Sequence, residues 1–250
     1  MGHLDLLDQK KPDDPFEFDK AESTSPIWSP DGQRVVFAMS TDDAGQNLFW
    51  KAADGSGRIN RLTTDQSAQH PSSWYKNGEL LLFSQCRASW HECTGIGSLT
   101  MQGDHQVDIL IESQSWVSNP VLSPNGQWIA YEHGKNGKQE ILVRPFPDVN
   151  SGEYLVARGD GLRMPLWAPD GRELFYLAQD SLMVVSVETS ATFDYNTPHV
   201  LFDLEDDTLS YDLAPDGQRF LMVKYRFVEK SEIVLVLNWL GELERLVPTK

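Results

Sequence analysis

Short apolar runs separated by polar turns recur along the whole of this 250-residue chain. Val35-Val36-Phe37, Leu80-Leu81-Leu82-Phe83, Trp128-Ile129-Ala130-Tyr131, Leu174-Phe175-Tyr176 and Phe220-Leu221-Met222-Val223 are too short for helices, and each predicts a buried strand. Each run follows a turn phrase ending in glycine. The phrases are Trp28-Ser29-Pro30-Asp31-Gly32, Trp74-Tyr75-Lys76-Asn77-Gly78, Leu122-Ser123-Pro124-Asn125-Gly126, Trp167-Ala168-Pro169-Asp170-Gly171 and Leu213-Ala214-Pro215-Asp216-Gly217. Ser-Pro-Asp-Gly suits a type I turn. Ser bonds local backbone, Pro pre-sets φ, Asp suits the third position, and Gly takes the site that often needs φ > 0. An apolar residue before the turn and an apolar run after it make a β-hairpin whose register the turn fixes.

The five glycines are 46, 48, 45 and 46 residues apart. Within each interval two further strands are expected. They are Leu48–Lys51 and Ile59–Thr63 in the first repeat, and Ile96–Met101 and Val107–Ile111 in the second. Glu140–Arg144 with Glu153–Ala157, Leu182–Val187 with His199–Phe202, and Ile233–Asn238 with Leu243–Val247 follow in the remaining repeats. Four short strands per repeat and no helical segment predict an all-β chain of four-stranded antiparallel blades, a β-propeller. A lone blade cannot bury both faces, so blades must stack. Five repeats are visible, fitting either a five-bladed propeller or part of a six-bladed ring. Residues 1–22 read as an acidic tail, in which Phe16-Glu17-Phe18 would supply a closing strand, and residues 23–250 as a single propeller domain.

The Pro-x-Trp-Ser-Pro-Asp-Gly phrase, with Pro26, Pro120 and Pro165 two places before the aromatic or Leu, resembles the repeats of TolB-type β-propellers over roughly Ser23 to Val247. Val143-Arg144-Pro145-Phe146-Pro147, Arg172-Glu173-Leu174-Phe175-Tyr176 and Leu237-Asn238-Trp239 through Pro248 are similar to propeller regions that follow the kinase domain in bacterial Ser/Thr protein kinases. The resemblance implies a binding or scaffold module, commonly extracytoplasmic. No His-Arg-Asp loop or Asp-Phe-Gly motif accompanies it, so the chain carries no kinase chemistry of its own.

Charge narrows the partners. A formal net charge of −16 argues against nucleic acid and anionic membrane surfaces. No run of about 18 apolar residues would insert in a bilayer. Two cysteines, Cys86 and Cys93, flank a polar insertion and are compatible with either a disulfide or two free thiols. His91-x-Cys93 is the one close His/Cys pair, short of a zinc set.

Chemistry is sparse. A glycosidase-like propeller needs a carboxyl pair about 5–9.5 Å apart. The first strand of each repeat offers Ser25, Ser72, Asn119, Arg163 and Asp212 near its end, with one carboxylate among them. Asp65, Glu112 and Asp160 in connecting loops keep a hydrolytic alternative open. No Gly-x-Ser-x-Gly elbow is present. Trp28, Trp74 and Trp167 share one register and are expected in the core between blades, as are Trp50 and Trp128 within strands. The expectation is therefore a non-enzymatic module without a cofactor or metal. It would bind a protein, peptide or small ligand through the loop face opposite the turns. His70, Trp90, His91, Trp116, Arg163, Tyr211 and Asp212 are the contact residues named for that face. A truncated fragment of a receptor kinase, dimerising through an open ring, is the remaining alternative.

Overall fold

The computed structural model describes residues 23–41, 44–75, 78–87, 92–204, 208–224 and 233–235. The expected strands at Phe16–Phe18 and Leu243–Val247 lie outside them. Every regular element of the described residues is a strand or a short turn.

Five antiparallel sheets follow one another. The first pairs β1 (Ser23–Trp28), β2 (Arg34–Thr41), β3 (Ala44–Ala52) and β4 (Asn60–Arg61) in chain order. The second pairs β5 (Ala68–Tyr75), β6 (Leu80–Cys86), β7 (Cys93–Thr100) and β8 (Val107–Glu112). In the third stand β9 (Val117–Leu122), β10 (Trp128–Lys135), β11 (Lys138–Pro145) and β12 (Tyr154–Gly159). The fourth has β13 (Leu162–Trp167), β14 (Glu173–Ala178) and β15 (Ser181–Glu188), with both β16 (Asp194–Tyr195) and β17 (His199–Asp203) on the far side of β15. β18 (Thr208–Leu213), β19 (Phe220–Lys224) and β20 (Ile233–Leu235) make the described part of the fifth. This is the blade plan that the repeat predicts. Several strands run longer than their apolar runs, because backbone pairing continues through polar residues such as Gly134↔Gln139.

The turn chemistry holds wherever it is described. Gly32, Gly126, Gly171 and Gly217 donate to the residue three before, at 2.8–2.9 Å, with φ of 67–72°. These glycines also form joints. A Cβ on Gly171 would stand 3.6 Å from Pro124 Cδ, and one on Gly217 3.6 Å from Pro169 Cδ, so each turn rests on the proline of the turn before it. Gly78 bears the same relation to Pro30.

The first strands carry a feature that the pattern does not announce. Ser25, Asn119 and Met164 stand at equivalent positions immediately before proline with φ of 54°, 51° and 57°. Residues before proline ordinarily favour extended backbone. Ladder pairing slips at the same place in β1 and β13, between Thr24 and Ile27 and between Arg163 and Leu166. Each is a β-bulge, and a bulge leaves an N–H that must find another acceptor.

The chain divides into two compact units, Met1–Pro120 and Val121–Lys250. In the first, Val36, Leu48 and Leu62 meet Leu81, Phe83 and Leu99 between the first two sheets. Gly97 is small because Phe83 occupies its side-chain space: a Cβ there would fall 2.3 Å from the ring. In the second, Trp128, Ile141, Val143 and Val156 meet Trp167, Leu174, Tyr176 and Val185 around Phe193, and Phe175, Leu177 and Val184 meet Tyr211, Phe220 and Met222.

The shared tryptophan register is corrected at one position. Trp167 is buried and its Nε1 donates to Val121 O at 3.1 Å, while Trp74 packs with Ile27 and Val36. Trp28 is 51% exposed. A tryptophan here packs onto the sheet that precedes its own in sequence, and the first sheet has none before it among the described residues.

Candidate functional site

In the first and third turns the polar groups satisfy one another, while Trp74 Nε1, at the end of β5, is buried without a partner. Ser29 Oγ donates to Asp31 Oδ1 at 2.5 Å and accepts from Arg34 N at 2.9 Å, and Asp31 Oδ1 also accepts from Gln33 N at 3.0 Å. The Ser29 hydroxyl and the Gln33 N–H hold the Asp31 carboxyl below its usual range. Ser123 and Asn125 repeat the arrangement with Gln127 and Trp128.

At the opposite, loop end of the first unit the polar residues are buried and only partly satisfied. Asn47 bridges to Asp65, accepting its N–H at 3.2 Å and donating to its carbonyl at 2.9 Å, and takes a further bond from Arg61. Thr63 Oγ1 accepts from Leu48 N at 3.0 Å and donates to Gln69 Oε1. Beyond that bond the Gln69 amide nitrogen has no partner, although the residue is 1% exposed. His70 Nε2 and Ser118 Oγ are likewise buried without partners, as are Thr24 Oγ1 and Gln85 Oε1. Strand register sorts those of the second sheet onto its two faces. Gln69 lies opposite Gln85, and His70 lies opposite Ser84, whose hydroxyl accepts from Asn119 N, next to Ser118, at 3.0 Å. Each buried unpartnered polar group costs about 1–3 kcal/mol. Burial also pushes the His70 imidazole below its usual pKa, so the ring is neutral in the fold.

The second unit meets the bulge differently. Glu132, 1% exposed within the apolar strand β10, accepts the Met164 N–H at 2.6 Å, and the Tyr211 hydroxyl donates to the Met164 carbonyl at 2.7 Å. The left-handed Met164 peptide is thus clamped on both sides. Glu132 and Ser84 occupy the same step, six residues past the turn glycine, where the other repeats have Ala38, Leu177 and Val223. A polar residue breaking an apolar run at that step was the available sequence signal for both. Farther along β10, His133 and Arg158 flank the buried Glu140 carboxylate at 3.0 and 3.3 Å, a row across three strands.

Of the contact residues expected from sequence, His70 is one of the buried groups left without a partner. Trp90 and His91 fall outside the described residues. Trp116 is not a free anchor: it packs on Ala68 and on Cys86 and Cys93, whose sulfurs are 1.93 Å apart in a disulfide. Tyr211 is corrected from surface to core, because its ring packs on Phe220 and its hydroxyl is committed to Met164. Arg163 spends donors on the Gly161 and Thr208 carbonyls, at 3.4 and 3.2 Å, and so braces β18 against β13. Asp212 is exposed, with its carboxyl raised by partial desolvation. Among the loop acids, Asp160 pairs with Lys138 at 2.6 Å and Asp65 caps the Ser67 N–H at 2.7 Å. Among the described residues no group of three or more His, Cys, Asp or Glu is placed to hold a metal, and no helix is long and apolar enough to cross a membrane.

Comparison with known proteins follows the same lines. Residues 17–210 match the family model described as the TolB beta propeller domain. No curated protein matches the chain. Among solved structures, TolB from Acinetobacter baumannii is similar at 17% identity with a TM-score of 0.63, over 86% of this chain and 51% of that one. The periplasmic gluconolactonase of Pseudomonas aeruginosa is 14% identical with a TM-score of 0.53, over 86% of this chain and 69% of that one. A puromycin-hydrolyzing peptidase of Mycobacterium tuberculosis is 18% identical with a TM-score of 0.52, over 86% and 36%. At these identities the likeness is one of fold, and the chain spans about half the length of the Acinetobacter TolB chain.

Proposed function

Since the chain belongs to the TolB β-propeller family, we propose that it is a non-enzymatic recognition module that binds a polar peptide segment of a partner protein at the loop end of its blades. One observation carries this reading. The polar groups of the first and third turns are consumed by those turns, whereas Gln69, His70 and Ser118 at the loop end are buried with hydrogen-bonding capacity unspent. A peptide backbone offers both donors and acceptors, the kinds of partner that these groups lack. Rigid strands hold the groups in place, which lowers the ordering cost of binding.

A hydrolytic propeller has less support. Asp160 and Asp65 are already engaged, and the buried Glu132 is committed to a backbone N–H. The segments similar to kinase-associated propellers add no chemistry, because Val143, Leu174, Phe175 and Tyr176 are core residues. The Cys86–Cys93 disulfide favours an extracytoplasmic setting.

The test is selection of peptides from a random displayed library on the purified chain, followed by calorimetry on the best binder. Gln69→Ala, His70→Ala and Ser118→Ala should each weaken it by about tenfold, as expected for one hydrogen bond in a desolvated site. Asp31→Ala at the turn end should leave it unchanged. Selected peptides that respond to Asp31 and ignore the other three would refute the assignment.

A further inference from the structure

A second recess, unrelated to the loop end, opens on the turn side of the second unit. It has a volume of about 310 Å³, at the small end of ligand pockets, and its lining includes Asn125, Asp170, Arg172, Glu188, Thr189 and Ser190. Val187 is its one apolar side chain. The walls are fixed before anything binds. The Thr189 carbonyl accepts from both Trp128 Nε1 and Asn125 Nδ2 at 2.9 Å, and the Val187 N–H donates to the Arg172 carbonyl at 2.8 Å. Asp170 Oδ1 receives the Arg172 N–H at 3.0 Å, and Glu188 Oε1 receives the Ser190 N–H at 2.8 Å.

Asp170 is the repeat's own turn acid, but Arg172 and Glu188 do not follow from the repeat. In the first and third repeats the turn acid or amide is bonded by the turn serine, and in the fifth Arg219 pairs with Asp216 at 2.8 Å. The fourth repeat has Ala168 in place of that serine, and where the others have Gln33, Glu79, Gln127 and Gln218 it has Arg172. The Arg172 guanidinium makes no hydrogen bond or close ion pair among the described residues, and, after the bonds from Ser190, its charge helps to hold the exposed Glu188 carboxyl below its usual range. The turn needs no arginine there, as its copies show.

We propose that this recess binds a small zwitterion of the α-amino acid type, its ammonium between Asp170 and Glu188 and its carboxylate on Arg172. The planar guanidinium offers the fork that a carboxylate accepts bidentately, and the two acids supply acceptors for an ammonium's three donors. A polar lining with no aromatic face disfavours an apolar or stacked ligand. The ligand's two opposite charges match the two signs of charge that line the recess.

The experiment is a thermal-shift screen of the purified chain against each of the twenty L-amino acids and glucose at about 10 mM, near the weak limit of useful affinity. Hits are then titrated by calorimetry. At least one amino acid should bind saturably, and its N-acetyl and methyl ester derivatives should not. Arg172→Ala should weaken it by about fivefold, as loss of one exposed charged partner does. Glu188→Gln should weaken it too, and circular dichroism and the urea midpoint should show both variants folded. Absence of any binding amino acid, binding unchanged by Arg172→Ala, equal binding of the blocked derivatives, or binding of glucose alone would each overturn the proposal.

Discussion

Replacing Glu132 isolates the joint between β10 and the Met164 bulge. Its carboxylate lies 2.6 Å from the Met164 N–H, and the residue is 1% exposed. In Glu132→Ala that N–H loses its acceptor where water does not reach, a cost of about 1–3 kcal/mol, and the truncated side chain adds about 1 kcal/mol for the void. Against this, the variant no longer buries a carboxylate, which returns part of the loss. The net expectation is a loss of about 2–3 kcal/mol, or roughly 4–10 °C in Tm for a chain of this size. Glu132→Gln keeps an acceptor oxygen and should lose only about 1 kcal/mol. Urea unfolding gives the stabilities, and amide hydrogen exchange at Met164 gives the local effect: protection should fall in the alanine variant and persist in the glutamine variant. An alanine variant as stable as the parent would mean that desolvation of the carboxylate outweighs its bond, and the clamp would not be a clamp.

Three further outcomes are expected. Trp167→Ala should cost about 3–5 kcal/mol, as large core truncations do, whereas Trp28→Ala should cost about 1 kcal/mol or less because half of its surface is exposed; equal losses in urea unfolding would show that Trp28 is covered in solution. Reducing Cys86–Cys93, or replacing both by Ser, should cost about 2.5 kcal/mol from release of a short closed loop, read as a shift in urea midpoint with and without reductant. Because burial lowers the His70 pKa, the unfolded chain binds more protons just below its ordinary value of about 6.5. Stability should therefore fall as pH drops from that point toward the folded pKa and then level off, and His70→Gln should lose that part of the slope.

What the chain discloses about itself differs by scale. Blade plan and turn register are legible because both rest on local chemistry: a proline that fixes φ, a glycine that accepts positive φ, and an apolar run too short for a helix. The bulges are not, since Ser25 and Met164 are poor candidates for left-handed backbone, and all three residues, Asn119 included, precede proline. Trp28 shows another limit. Register says which face a side chain presents but not whether a neighbour stands there to receive it. The candidate site was half visible. His70 was within reach as a polar residue in a strand beside the loops, but Ser84 became notable only once β5–β6 pairing set it opposite His70 and its hydroxyl took the Asn119 N–H, and Gln69 and Ser118 only once burial left them without partners. Tyr211 and Arg163 show a competing use of such residues: long polar-tipped side chains reach backbone carbonyls on the next strand as readily as they reach a ligand.

The seating of Gly171 on Pro124, of Gly217 on Pro169 and of Gly78 on Pro30 bears on how such a chain could have arisen. Tongue and groove belong to one five-residue phrase, so every tandem copy of the gene segment arrives with both halves of the joint already matched. Duplication would then need no compensating change to dock the newcomer. Selection would be left free to diversify the opposite end, which takes no part in that fit.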